Sequence, residues 1–549
     1  MTLGLHASHS GSTLDTGSQD DRERGLHHLQ ITRTPSKTII SFRPSDPEHP
    51  NNWSTVRTPS LYTTPNLAIL QKWKSIVVLG CIMSVINSTL ASSLPSGGIG
   101  EISTYFKVTN HLQLVLPIST FLIGYFGGIV CGPLSEHFGR KPVMIVSFSL
   151  YTAFTLGCAL APNWAALLVF RWLCGVMASA PIAVVGGVFA DIFGEPRKRG
   201  IAMAVFMGAT TFGPALGPLA SGFIATVSWR WCFWLGLILA GATLPFLFIM
   251  PETYVPVLIA KKAAKIRKET GNSSITASSE LEKKSVRHIL TVVMTRPFRM
   301  ILHESIVLFT CMYLSLAYGI FYLYFEAYPI IFQGPNSIYH FTPGIAGLAF
   351  LPIGIGASVC TFIFIWYDSF LVKAQKRNAP WAAVEEYRRL PLACVGGPLY
   401  VIGLFWLAWS AKPGVHWIVP MLSGFPFGMG FLLIFMAMLN YLTDAYKTFA
   451  ASAQGIASTT RAMAGALLPF AAKPMFTKLG VDWACSLLAF LSLGMALIPW
   501  MFIKFGDRIR ANSRFCQHLK KLDEEEAERE EKRQLSERPP SSEKVDEKV

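Results

Sequence analysis

Of the 549 residues, 51% are hydrophobic and 15% charged, which leaves too little charge to cover the surface of a water-soluble fold. The net charge of +15 raises nucleic acid as a partner, but basic residues also gather wherever loops face the cytoplasm, so their placement decides between the two. Ten cysteines without a CxxC or other metal-like spacing read as small apolar core residues, and no metal is expected.

Residues 1–70 are polar and without helical apolar periodicity, so a largely disordered cytoplasmic tail is expected. Within it, Asp46-Pro-Glu-His-Pro-Asn-Asn-Trp-Ser54 reads as an extended leader held by its prolines. Windows of about 20 apolar residues, enough to cross a ~30 Å hydrocarbon core, then follow at roughly 73–94, 112–132, 142–160, 165–190, 201–225 and 231–250. A second set falls at roughly 304–328, 343–367, 391–409, 417–440, 449–472 and 482–503. The expected fold is an all-α polytopic membrane protein of about twelve spans in two six-helix bundles, residues 71–250 and 304–505. With the N-terminus inside, about 21 Lys and Arg fall in inner loops against about five in outer ones, which places both termini in the cytoplasm and sets nucleic acid aside. The linker 251–303 carries Lys261, Lys262, Lys265, Arg267 and Lys268 at helical spacing, an amphipathic interfacial helix or, more simply, a solvated linker helix, followed by a Ser-rich link. Residues 506–549 form a charged cytoplasmic tail.

Span 1 offers Asn87 and Thr89 as polar contacts for a cavity. Between spans 2 and 3, Gly132 to Val143 reads as a tight turn that Gly132, Pro133 and Gly139 permit, with Glu136, Arg140 and Lys141 available as charged latches. Arg171 lies about 9 Å inside the outer end of span 4, a depth at which a charge needs a cavity or a partner. Arg461, in the middle of span 11, poses the same demand. Asp191 and Asp444, at the inner ends of spans 4 and 10, read as latches, Asp191 within reach of Arg140. In span 5, Gly213 and Gly217 share a face while Pro214 and Pro218 remove backbone donors, so close packing with a built-in bend follows. Tyr318, Tyr322 and Glu326 recur at i, i+4 and i+8 of span 7 with Phe325 beside them, a face suited to apolar or cationic ligands. Glu326 is the best carboxylate for proton carriage, and Phe431 of span 10, with Phe435 one turn on, completes an adaptable apolar surface or packs in the core.

The turn after span 2, Arg171 with Gly175, and the Gly213 to Pro218 run resemble three signatures of the major facilitator superfamily. The leader at Asp46, Pro251-Glu-Thr-Tyr254 and Asn440-Tyr-Leu-Thr-Asp-Ala-Tyr446 resemble its fungal twelve-span drug:proton antiporter branch. That resemblance implies alternating access about a midplane cavity and proton-coupled export of drugs, toxins or secondary metabolites across the plasma membrane, by a monomer. It implies a proton-assisting or substrate-binding role for Arg171, and a span 5 bend packed against the other half. Asn87 stands where the family pattern has an aspartate, and Asn cannot titrate, so coupling assigned there must lie elsewhere. The same fold also serves importers and facilitators. No phosphate loop for ATP, no H-E-x-x-H and no G-x-S-x-G occurs, so neither a cofactor nor an enzyme is expected.

Overall fold

The computed structural model describes residues 29–33, 38–42, 50, 66–277, 280, 295–334, 337–446, 450–513 and 517. The Asp46 to Ser54 leader, apart from Pro50, and the charged tail beyond 513, apart from Gln517, lie outside the described residues.

Eleven helical stretches among the described residues are long and apolar enough to cross a membrane. Spans 1 to 6 are Trp73–Phe106, His111–Phe138, Arg140–Ala159, Trp164–Ile192, Arg197–Ile224 and Arg230–Ile249. Spans 7 to 10 are Ser305–Phe332, Pro343–Lys376, Glu386–Ser410 and Ile418–Tyr446. The last stretch, Ser452–Gly506, has 55 residues, about 80 Å of helix and far more than one crossing of a ~30 Å core needs. It breaks at Gly480, φ 75 and ψ 172, a backbone that favours glycine, and this break divides spans 11 and 12. Large apolar side chains such as Phe362, 71% exposed, and Trp366, 68% exposed, stand outward, as a surface facing lipid tails rather than water requires.

The two halves pair their helices by one rule. Span 1 packs on 5, 2 on 4, 3 on 4 and 3 on 6; correspondingly 7 packs on 11, 8 on 10, 9 on 10 and 9 on 12. Between halves the main seams are span 5 against span 8 and span 2 against span 11, which the same correspondence interchanges. Two related bundles therefore meet about an approximate twofold axis, the arrangement of carriers with internal repeats.

Three expectations change. The reversal after span 2 is not spread from Gly132 to Gly139: Gly128–Phe138 is helical through Gly132 and Pro133, and the chain turns at Gly139 alone, φ 103. Part of the N-terminal tail is ordered, with β1 (Leu29–Arg33) and β2 (Thr38–Phe42) antiparallel and β2 parallel to β3 (Ile275–Ala277) of the linker. The linker helix Val255–Thr270 does not offer its apolar face to the bilayer, because Ile259, Ala263 and Ile266 are buried against Ile275 and Ala277.

Candidate functional site

A cavity lies where the halves meet, lined by Met207, Thr210, Thr211 and Pro214 of span 5, Tyr318 and Phe321 of span 7, Phe431, Leu432 and Phe435 of span 10, and Arg461 of span 11. Its wall is a stack of rings, with Phe321 4.8 Å from Phe431 and Phe431 4.4 Å from Phe435. Arg461 is 7% exposed and lies over two ring faces, 5.2 Å from Tyr318 and 5.5 Å from Phe435. Gly465, one turn further, leaves room for this: a Cβ there would come within 2.9 Å of the Tyr318 ring.

From Tyr318 a chain of hydroxyls crosses to the other half. Tyr318 donates to Tyr322 at 3.5 Å, Tyr322 and Ser92 share a hydrogen bond of 2.7 Å, and Ser92 donates to the Thr89 carbonyl at 2.6 Å. Ser92 has spent its only proton on that carbonyl, so Tyr322 is the donor to Ser92. Span 2 joins span 11 through Ser119, which donates to the Ala466 carbonyl at 2.7 Å. Tyr318, Tyr322, Phe431 and Arg461 thus come together. Phe325 lies between Tyr322 and Phe350 of span 8, 5.2 Å from each, and Glu326, partly buried, has no hydrogen bond or ion pair among the described residues.

Span 1 distributes its polar residues over three faces, as a period of 3.6 dictates. Ser88 faces spans 2 and 4, donating to the Ala178 carbonyl at 2.6 Å and contacting Tyr125, while Ser92 faces Tyr322 of the other half. Asn87 accepts from Tyr151 of span 3 at 2.8 Å, while its amide nitrogen is buried without a partner among the described residues. Thr89 and Ser93 face span 5, where added side chains at Gly213 and Gly217 would collide with their hydroxyls. Asn87 and Thr89 therefore do not line the central cavity. The glycine face of span 5 meets span 1 of its own half, and the bend also packs against the other half as expected, since a Cβ at Gly347 of span 8 would meet the Pro218 carbonyl. The same seam continues with Gly208 beside Thr361 and Phe212 beside Gly354 of span 8. Pro218 lacks the N–H that would reach the Pro214 carbonyl, and Ser93 donates there at 2.8 Å.

Arg171 is held within its own half. Its guanidinium donates to the carbonyls of Pro117 at 2.7 Å, Ala91 at 2.9 Å and Ser92 at 3.1 Å, with the Phe121 ring 4.4 Å away. The Ala91 carbonyl is open because Pro95, four residues on, has no N–H to give it. The accepting carbonyls thus lie in spans 1 and 2.

At one end of the spans, each half carries an arginine cluster. Arg140 donates to Asp191 at 3.1 Å and to Ser135 at 2.7 Å. Glu252 accepts the backbone N–H groups of Arg140 at 2.9 Å and Lys141 at 3.2 Å, capping span 3. Gly139 is required beside it, since a Cβ would strike the Glu252 carboxylate. Glu136 stands exposed, and neither Glu136 nor the Lys141 side chain has an ion pair among the described residues. In the second half, Arg389 reaches Asp444 at 3.1 Å and Asp368 at 3.5 Å. Sequence reasoning missed Glu252, Asp368, Ser88 and Ser92; the Ser84, Ser88, Ser92 spacing was the available signal for the last two.

Two six-span halves, a ring-lined cavity on their seam and paired charge clusters at one end make this a polytopic membrane carrier. The Major Facilitator Superfamily profile matches residues 51–469, and the chain belongs to that family. It is 39% identical over 459 residues to Efflux pump FUBT of Fusarium oxysporum, covering 82% of this chain and 76% of that protein. It is 34% identical to the MFS-type transporter oryN of Aspergillus oryzae, covering 93% of this chain and 96% of that one. It is also 34% identical to the major facilitator superfamily multidrug transporter mdrA of Aspergillus fumigatus, covering 88% and 76%. Among solved structures, the proton:xylose symporter XylE shares the fold, with TM-score 0.58 at 18% identity over 79% of this chain and 96% of that one. The chain is a membrane efflux transporter of the fungal branch, not an enzyme.

Proposed function

We propose that the protein is a proton-driven exporter of the plasma membrane, monomeric, with both termini cytoplasmic, moving a small organic compound outward in exchange for protons. The observation that carries this reading is the cavity lined by spans 5, 7, 10 and 11: both halves contribute to it, so rocking one half against the other re-exposes its contents on the opposite side. The Arg140–Asp191 and Arg389–Asp444 pairs serve as latches that break when the inner side opens. Glu326 is the coupling carboxylate, a group in span 7 that no arginine or lysine among the described residues pairs with.

The test is expression of the full chain in a cell stripped of its own efflux pumps. Accumulation of a panel of toxic and fluorescent apolar compounds should fall, and collapse of the proton gradient should restore it. Glu326→Gln should flatten the pH dependence. Raised accumulation would reverse the direction, and efflux indifferent to the gradient would end the proton-coupled reading.

A further inference from the structure

We infer that the central cavity selects organic anions, a flat apolar body bearing one carboxylate or a group of like charge, and that Arg461 is the residue that grips it. The inference deepens the exporter reading and rests on it only for the direction of travel.

Arg461 stands about 17 Å along its helix from Ala450, where an uncompensated charge is costly. Arg171 meets the same cost with three carbonyls. Arg461 has no hydrogen bond and no ion pair among the described residues, only the two rings. Arg461 borders the cavity, and its planar set of N–H groups suits a two-oxygen acceptor.

The other polar groups on the wall have committed their protons. Thr210 donates to the Phe206 carbonyl at 2.8 Å, Thr211 to the Met207 carbonyl at 3.3 Å, and Tyr318 to Tyr322. No carboxylate lines the cavity. Glu326 lies eight residues from Tyr318, about 12 Å along span 7, and no ion pair joins it to Arg461.

A cationic ligand would meet an arginine with no acid to offset it, and the ring faces of Tyr318 and Phe435 already hold a guanidinium. Phe321 and Phe431 supply the apolar surface for the ligand body. Of the apolar or cationic ligands expected at this aromatic face, the placement of span 11 against span 7 therefore favours the apolar body and disfavours the cation.

The experiment measures equilibrium binding to the purified full chain in lipid nanodiscs, by calorimetry with empty nanodiscs as the blank. The probes are 2-naphthoate, anthracene-9-carboxylate and their carboxamides. At least one acid should bind about tenfold or more tighter than its amide, the scale of a charge-assisted hydrogen bond. Arg461→Gln should bring that ratio to about one by weakening the acid alone, and Arg461→Lys should lower it without abolishing it. Elution and melting of each variant report assembly; if the Gln variant fails to assemble, the Lys variant decides. A wild-type panel in which no acid outbinds its amide, or a ratio untouched by substitution at 461, overturns the inference. Acid-selective binding without outward flux leaves it standing and strikes the exporter reading instead.

Discussion

Pro95 and Arg171 are separated by most of three spans, yet each accounts for the other. The proline leaves the Ala91 carbonyl without its helical donor, and the guanidinium supplies one. Depth and the spacing of Arg171 with Gly175 marked Arg171 as functional; its partners make it first a bolt joining spans 1, 2 and 4. Arg171→Ala removes three hydrogen bonds from a charged donor and strands buried carbonyls, a loss of roughly 3 kcal/mol or more. Detergent-solubilised Arg171→Ala should melt lower and reach the cell surface in smaller amounts, with Arg171→Lys intermediate. Wild-type melting combined with lost export would return the residue to transport itself. Asn87 and Thr89 were visible as polar residues in an apolar span, but which neighbour each would meet was not. One residue of rotation, about 100°, separates Asn87 from Ser88, and only the placement of the neighbouring spans gives Ser92, rather than Asn87 or Thr89, the contact across the halves.

Helices followed the apolar windows closely because hydropathy summed over some 20 residues is a local property. Their packing faces were less legible. The Gly213 and Gly217 spacing correctly announces a close approach, and the pattern is satisfied equally by any helix with small side chains; Thr89 and Ser93 of span 1 supply them. The linker helix shows the same limit. Its basic face resembles a membrane-surface helix, but the buried face is taken by β3, and strands of three and five residues carry too little periodicity to be foreseen. Arg267 fastens this unit, with two hydrogen bonds of 2.8 Å to Glu280 and one of 3.2 Å to the Ile275 carbonyl. The hydrogen bonds from Arg267 hold the Glu280 carboxyl below its ordinary value. A depressed carboxylate contributes stability that is present above its unfolded value and is lost as pH falls through the folded one. Amide exchange over 255–277, corrected for intrinsic rate, should therefore accelerate below the usual carboxylate range and stay slow at neutral pH. In Arg267→Ala it should be faster at neutral pH and lose that dependence. A pH-independent wild type would dismiss the clasp.

Across the whole molecule, the repeated pairing of spans puts Arg140 with Asp191 and Arg389 with Asp444 at the same end, one cluster in each half. Their partly buried geometry gives each pair a share in the balance between inward- and outward-facing forms. With other cysteines replaced, Thr211→Cys on the cavity wall reports cytoplasmic access. Adding Asp191→Asn or Asp444→Asn should speed its labelling by an impermeant thiol reagent from the cytoplasmic side about fivefold or more, near 1 kcal/mol of bias. Equal labelling rates in all three proteins would deny the pairs a latch role. The number of spans and their grouping in sixes follow from composition along the chain, since burial in lipid is decided window by window. The cavity was settled elsewhere: Ser92 meets Tyr322 and Ser119 meets Ala466 across hundreds of residues, and Arg461 faces rings from spans 7 and 10. Such contacts depend on the rotation of each helix about its axis, which mean hydropathy does not constrain and only packing against neighbouring helices sets.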